Sequence, residues 1–247
     1  MSKPQEKVDV EVPRFVHEAQ AAKFLAEARE HEALAALHRA NAQQAEHEAI
    51  VSGFAKDREQ HKRNLELASD EHNRVYRFTG GVDQGTAAKC MDTLNRWSRI
   101  DGDDPQPIEI VFFSPGGSVV DGMALFDTIQ LLRHHGHRVT TTAIGMAASM
   151  GSILLQAGDV RRMTRESWVL IHQISAGAQG SMGEIEDRVE WFKKMEQRVL
   201  DIFADRAKAS KAKKALTRKQ FEAGYNRKDW WIDSADCLRY GIVDEVL

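Results

Sequence analysis

The chain has 247 residues, a formal net charge of −3, 42% hydrophobic residues and 29% charged residues. That length and composition can form one sizeable buried core plus an appendage, and the slightly negative charge gives no reason to expect a nucleic-acid partner. The first residues lack the apolar core of a signal peptide and no apolar run approaches membrane-spanning length, so we expect a cytoplasmic protein without membrane contact.

Residues 14–72 differ in composition from the rest of the chain. They are rich in Ala, Glu, Gln, Lys, Arg and His, contain no proline, and have Gly53 as their one glycine. These residue types favour helix, so the segment predicts one long helix or two helices broken near Gly53. The large apolar residues do not follow a clean heptad, although a narrow seam could be formed by Ala28, Ala33, Ala36 and Ala40.

Two interpretations of residues 1–72 stay open. The segment is a helical arm for assembly or partner binding, or a solvated helix that lies over its own domain. Before the helix, the alternation of apolar and acidic residues over Val8–Val12 predicts a short edge strand.

A second region begins near Asn73 and alternates predicted strands with predicted helices. Such alternation indicates a parallel sheet with right-handed crossovers, which binds its ligands beyond the carboxyl ends of the strands. Strands are predicted over residues 75–80, 108–113, 138–144 and 167–171, and helices over residues 86–100, 119–134 and 150–157.

Three predicted strands each end at a group that could bind or react with a ligand. Two glycines, Gly116 and Gly117, follow the second strand and let the backbone bring an N–H close to a ligand oxygen. Ser149 lies on a strand-to-helix turn with small neighbours, the setting of a nucleophile elbow, and His172 ends a buried strand. The match to G-x-S-x-G is loose because Ala147 replaces its first glycine, and a serine that caps a buried helix is the alternative.

The segments Ser114-Pro115-Gly116-Gly117, Ala147-Ala148-Ser149-Met150-Gly151 and Ile171-His172-Gln173 resemble, in that order, the proteolytic subunit of the Clp protease family. The resemblance implies that residues 73–247 form an α/β domain, the Clp and crotonase-like ββα spiral.

The same resemblance implies a serine endopeptidase that forms an acyl-enzyme on Ser149, with His172 as the base. It places the oxyanion-binding amides at Gly117 and Met150. Main-chain atoms that would hold an extended substrate as an added strand belong to Ser118, Val119, Ile174 and Ser175. No metal and no organic cofactor is implied.

A third catalytic group, a carboxylate that orients the imidazole, has several candidates after His172. Spacing alone does not choose among Asp201, Asp205, Asp229, Asp233, Asp236 and Asp244. The closing motif Tyr240–Asp244 resembles that of the family, and its register selects Asp229, with Asp233 as the second choice. We expect the tryptophans that follow Asp229 to exclude water from it.

Between His172 and Asp229, the small residues at positions 175–180 favour a strand, and the pattern that follows predicts a long amphipathic helix from near Met182. In the family the matching segments form the handle through which heptameric rings stack, so the resemblance implies a homo-oligomer. Packing within one subunit is the alternative. The helix has one apolar stripe, formed by Ile185, Val189, Phe192, Met195, Val199 and Phe203.

The chain also departs from the family pattern. The arm replaces a short segment that gates the ring, Ile174 stands where proline is usual, and residues 211–214 add a basic stretch. The family's apolar pocket for a partner ATPase corresponds here to Glu109, Val111, Thr142 and Thr164. A carboxylate there disfavours docking of an AAA+ unfoldase.

These departures leave three alternatives to a standard Clp peptidase. The chain could be a capsid-maturation protease of the phage or prophage type that works without an ATPase. It could instead be an inactive assembly module, or an acyl-CoA enzyme of the crotonase type, which needs no serine nucleophile. Cys90 and Cys237 have no metal-like spacing and are expected to be reduced thiols.

Overall fold

The computed structural model describes residues 14–175, 177, 179–226 and 229–247. The strand predicted over Val8–Val12 lies outside the described residues. The chain divides into two units between Glu66 and Leu67, close to the predicted boundary at residue 73.

The described residues of the first unit form a single helix, α1, which spans Arg14–Leu67. It continues through Gly53, so the prediction of one long helix is confirmed over the alternative of two. From Glu18 to Leu67 every side chain is exposed, and its large apolar residues include Phe24 and Phe54 at 72% and 63% exposure. No helix in the described part of the chain is both long and apolar enough to cross a membrane.

The second unit is an α/β domain. Its strands are β1 (Val75–Thr79), β2 (Ile108–Ser114), β3 (Val139–Ala148), β4 (Val160–Met163), β5 (Trp168–Ile171), β6 (Trp230–Asp233) and β7 (Glu245–Val246). Its helices are α2 (Gln84–Asp101), α3 (Val119–His134), α4 (Met150–Leu155), α5 (Met182–Ala209), α6 (Arg218–Tyr225) and α7 (Ser234–Tyr240). The predicted alternation from residue 75 to residue 171 is confirmed.

The sheet branches at β3. Strands β1, β2, β3, β4 and β7 form one parallel series in that order, and the first half of β3, Thr140–Ala143, pairs with β4. The second half, Met146–Ala148, pairs instead with β5, which continues to an antiparallel partner, β6. Because β3 and β5 run parallel in register to their ends, the residues that follow them emerge side by side.

Capping residues set where the helices begin. Asp83 with Thr86, Ser181 with Glu184, and Thr217 with Gln220 form capping boxes at α2, α5 and α6. The buried faces of these helices meet the sheet in one core, whose larger members include Trp97, Phe112, Leu125, Ile129, Phe203 and Phe221.

One charged residue, Arg161 on β4, is buried inside this domain at 1% exposure. Its guanidinium donates to both oxygens of Asp244, at 2.6 and 3.0 Å, and also to Gln156 Oε1 and Gly241 O. Burial alone would raise the pKa of the Asp244 carboxyl, but the hydrogen bonds and charge of Arg161 hold it below its usual value. The pair fastens the last strand to the sheet.

The strand predicted over residues 175–180 is wrong for the described part of that stretch. Ser175, Gly177, Gln179 and Gly180 are not in a strand, and Ala176 and Ala178 lie outside the described residues. Small residues bury little surface, and the described sheet offers this stretch no neighbouring strand to pair with. Gly180, at φ 146°, instead leads into the capping box of α5.

The two halves of α5 differ in burial. Its carboxyl-terminal half is buried in the core through Val199, Leu200, Ile202, Phe203 and Ala207. In its amino-terminal half Met182, Val189 and Trp191 are 71%, 41% and 45% exposed. Of the predicted stripe, Val199 and Phe203 are buried and Val189 is exposed, while Ile185, Phe192 and Met195 are half-buried. Packing within one subunit therefore covers the carboxyl-terminal end of the stripe fully and the rest of it only in part.

Candidate active site

Ser149 lies between the end of β3 and the start of α4. Its amide donates to Leu170 O at 2.9 Å, which holds the turn against β5. Its backbone has φ 53° and ψ −122°, a region that residues with a side chain rarely adopt. The side chain makes no capping hydrogen bond to α4, so the alternative of a helix-capping serine is wrong.

The glycine loop after β2 packs directly against this turn. A Cβ on Gly116 would lie 2.5 Å from Ser149 Cβ and 2.7 Å from Ala148 O, and one on Gly117 would lie 2.2 Å from Val82 O. Both glycines also have positive φ, 93° and 148°. Only residues without a side chain fit here.

A cavity of about 290 Å³ opens beside Ser149. Five predicted site residues besides the serine and histidine line it, namely Gly117, Val119, Met150, Ile174 and Ser175. Its other walls are largely apolar and include Ile153, Ile171, Val199, Phe203 and Tyr225. A chain or side chain with apolar groups fits such a cavity.

Ser118, the remaining predicted substrate-binding residue, does not line the cavity. Its N–H donates to Val82 O at 2.7 Å and its carbonyl accepts from Gly122 N at 3.0 Å. Its hydroxyl accepts from Asp121 N and caps α3. The hydrogen-bonding groups of Ser118 thus have partners inside the domain.

His172 follows the last residue of β5 and faces Ser149. Its Nε2 lies 2.7 Å from Ser149 Oγ, a hydrogen-bond distance, and its side chain is 24% exposed. This distance allows the imidazole to accept the hydroxyl proton when Nε2 is unprotonated.

Asp229 lies on the opposite edge of the imidazole. Its Oδ1 is 3.6 Å from His172 Nδ1, which is within ion-pair range but longer than a hydrogen bond. The Asp229 side chain is 66% exposed. The expectation that the following tryptophans exclude water from this carboxylate is wrong, because the side chain stays open to solvent although Trp230 and Trp231 follow it directly.

Four of the five other acidic candidates have partners elsewhere, and Asp205 has no described contact with His172. Asp233 accepts from Asp236 N at 2.8 Å and caps α7. Asp201 pairs with Arg218 and Asp236 with Arg239, while Asp244 pairs with Arg161. Among the described candidates, the structure therefore brings Asp229 to His172 and not Asp233.

Helix α6 and its last residue, Tyr225, are not among the features predicted from the sequence. This tyrosine is 2% exposed and lines the cavity. Its hydroxyl accepts a hydrogen bond from Ile174 N at 3.2 Å and donates to Glu196 Oε1 at 3.3 Å. The pattern Thr217-x-x-Gln220 could have revealed α6 as a capping box, but no sequence signal marks the hydroxyl's partners.

The described residues contain no group of three or more His, Cys, Asp or Glu side chains that could hold a metal. Cys90 and Cys237 are buried and form no disulfide. Burial raises the pKa of both thiols, which disfavours a thiolate nucleophile at either position. The nucleophile that this arrangement can supply is the serine hydroxyl.

Comparison with known proteins agrees with the motifs. A family model described as Clp protease matches residues 60–247. Two curated relatives, both named ATP-dependent Clp protease proteolytic subunit and both from strains of Bacteroides fragilis, are 36% identical over 151 residues. That match covers 60% of this chain and about two thirds of each relative, 68% and 64%. The predicted α/β fold with its parallel sheet and long amino-terminal helix is confirmed, and the chain belongs to the Clp protease family.

Proposed function

We propose that this chain is a serine endopeptidase that hydrolyses peptide bonds through an acyl-enzyme. The observation that carries the proposal is the 2.7 Å contact between His172 Nε2 and Ser149 Oγ at the ends of two parallel strands. Ser149 Oγ attacks the peptide carbonyl carbon while His172 accepts its proton and then returns it to the leaving amine. Water then gives a proton to His172 and attacks the acyl carbon, the ester bond to Ser149 Oγ breaks to release the acid, and His172 returns the proton to Oγ.

Two amides are proposed to stabilise the oxyanion of each tetrahedral intermediate, those of Gly117 and Met150. Support comes from their common position along the cavity and from the close packing of the glycine loop on Ser149. Loss of one such donor typically costs about 3 kcal/mol of transition-state stabilisation. Asp229 is proposed to orient His172 and to stabilise its cationic form.

Substrate is proposed to lie as an extended chain between the glycine loop and the segment after His172. Val119, Ile174 and Ser175 line that passage. Since the amides of Ser118 and Ile174 already donate within the domain, pairing with substrate has to use neighbouring main-chain groups or displace these bonds.

The serine–histidine contact favours this chemistry over that of an acyl-CoA enzyme of the crotonase type. Such an enzyme needs amides for its oxyanion but has no use for a serine hydroxyl bonded to an imidazole. An inactive assembly module has no use for that contact either, nor for the positive φ of Ser149.

Labelling with a fluorophosphonate, followed by peptide mapping, tests the proposal. We expect one adduct, on Ser149, and none on the Ser149→Ala variant. Ser52→Ala, a substitution on the exposed face of α1, is the control that should label like the wild type. A folded wild-type chain that gains no adduct would contradict the proposal.

Assembly into homo-oligomeric rings is proposed from the exposed apolar residues in the amino-terminal half of α5. A second copy of the chain would cover Met182, Val189 and Trp191. Sedimentation of the Val189→Glu, Trp191→Glu double variant should show a smaller species than the wild type. Equal sedimentation of the two proteins would exclude this surface as the interface.

An AAA+ unfoldase is not part of the proposed function. Glu109 Oε1 accepts a hydrogen bond from Thr142 Oγ1 at 2.6 Å, which keeps a carboxylate at a position where an apolar loop would have to dock. Co-elution of the wild type with a Clp ATPase in the presence of nucleotide would overturn this view.

We further propose that residues 1–72 act as an arm for assembly or partner binding. The exposed phenylalanines and leucines of α1 support it, since a solvated helix gains nothing from them. Replacing Leu34 and Leu37 by glutamate should weaken the association detected by sedimentation, and unchanged association would favour a solvated helix.

A further inference from the structure

Tyr225 joins three elements around the candidate active site. It ends α6, its ring forms part of the cavity wall, and its hydroxyl contacts both Ile174 N and Glu196 of α5. Burial, and next the negative charge of Glu196, raise the pKa of the Tyr225 phenol above its usual value. The hydroxyl therefore keeps its proton, so that it donates to Glu196 and can accept from Ile174.

The contact with Ile174 gives a main-chain donor its acceptor. The amide of Ile174 is partly buried, and a buried N–H without an acceptor is costly. Tyr225 supplies the acceptor that isoleucine requires here.

The position of this hydrogen bond along the chain links it to the candidate triad. Ile174 is two residues after His172, and Tyr225 is four residues before Asp229. The neighbouring residues Gln173 and Asn226 form a second hydrogen bond between the same two segments, in which Gln173 Nε2 donates to Asn226 Oδ1 at 3.3 Å. Two consecutive bonds thus join the segment that carries the imidazole to the segment that carries the carboxylate.

We propose that Tyr225 is a positioning residue, which sets the placement of His172 relative to Asp229 and Ser149 by holding Ile174. The inference rests on the proposed function. Tyr225 does not contact the serine or the imidazole in the described hydrogen bonds, and it acts through the main chain of residues 172–174. Its effect is on the rate of the chemical step, because it fixes the imidazole's orientation rather than the affinity for a ligand.

Labelling kinetics with a fluorophosphonate separate an effect on the rate of the chemical step from an effect on affinity. In the Tyr225→Phe variant we expect the maximal rate of inactivation to fall about 10-fold while the half-saturating reagent concentration stays unchanged. The matched control is Tyr240→Phe, which removes a tyrosine hydroxyl that bonds Arg239 and Asp236 far from the serine along the chain. It should label at the wild-type rate.

A rescue variant identifies the partner of the hydroxyl. Adding Ile174→Pro to Tyr225→Phe removes the donor that the first substitution leaves unsatisfied, so most of the lost rate should return. Hydrogen–deuterium exchange of a peptide covering residues 172–175 should be faster in Tyr225→Phe than in the wild type.

Three results would overturn the inference. These are a wild-type rate in Tyr225→Phe, no recovery in the double variant, and an exchange rate that does not change. Absence of labelling in the wild type is a different result, since it would contradict the proposed function itself and remove the basis of the inference.

Discussion

The two sides of the His172 imidazole are held by different kinds of structure. On one side Ser149 and His172 each follow a buried strand, and the strands pair in register up to Ala148 and Leu170. On the other side Asp229 lies between α6 and β6, with its side chain 66% exposed and 3.6 Å from Nδ1. Main-chain pairing fixes the proposed proton-transfer pair, whereas solvent competes with the imidazole for the carboxylate that is proposed to orient it.

We call the side of the imidazole that faces Ser149 the sheet side, and the side that faces Asp229 the loop side. The largest expected effect of a substitution is on the sheet side. His172→Ala should lower the rate of labelling and of peptide hydrolysis by about 10⁴-fold or more, because no other described group reaches Ser149 Oγ to accept its proton. Active-site titration with the fluorophosphonate measures it. His134→Ala, at the end of α3, is the control and should keep the wild-type rate.

Next in size is the effect of Gly116→Ala. The added Cβ would lie 2.5 Å from Ser149 Cβ, so the turn has to move and the labelling rate should fall about 10²-fold. Gly177→Ala is the matched control, since a Cβ there meets nothing within 4 Å. Equal rates in the two variants would show that the glycine loop does not fix the position of the serine.

A smaller effect is expected on the loop side. Asp229→Asn should slow labelling about 10-fold, well short of the loss expected for a buried triad aspartate. Asp233→Asn is the control, because asparagine also caps a helix and α7 keeps its start. A loss in Asp229→Asn as large as that in His172→Ala would mean that the carboxylate closes onto the imidazole in the working protein.

The smallest effect concerns salt. Raising the ionic strength from 0.1 to 1 M shortens the Debye length from about 10 to 3 Å and should weaken the attraction between exposed Asp229 and cationic His172. We expect the wild-type labelling rate to fall about twofold and the Asp229→Asn rate to stay constant. An equal fall in both proteins would assign the effect to the reagent or to assembly.

The positions of Ser149 and His172 on the sheet side could be predicted from the sequence, whereas the environment of Asp229 on the loop side could not. Buried strands and amphipathic helices leave strong periodic patterns, and helix α3 has the predicted bounds, Val119–His134. Placing Ser149 and His172 at strand ends followed directly. The exposure of Asp229 depends on how a connecting segment packs, and no local pattern records that.

Helix α5 could also be predicted only in part. Its periodicity predicts a helix with an apolar stripe, but periodicity does not say what covers each half of the stripe. Only the tertiary structure separates buried Val199 and Phe203 from exposed Val189. The hydroxyl contacts of Tyr225 could not be predicted either, because they join it to Glu196 and Ile174, which lie 29 and 51 positions away in the chain.

The positive φ of Ser149 implies that activity and folding make opposite demands on this position. A side chain at φ 53° costs about 1–3 kcal/mol, which glycine does not lose. Ser149→Gly should therefore abolish labelling yet raise the melting temperature above that of Ser149→Ala, which keeps the Cβ. Glycine would be the more stable choice at this backbone conformation, so the serine side chain contributes nothing to folding here that would account for its presence.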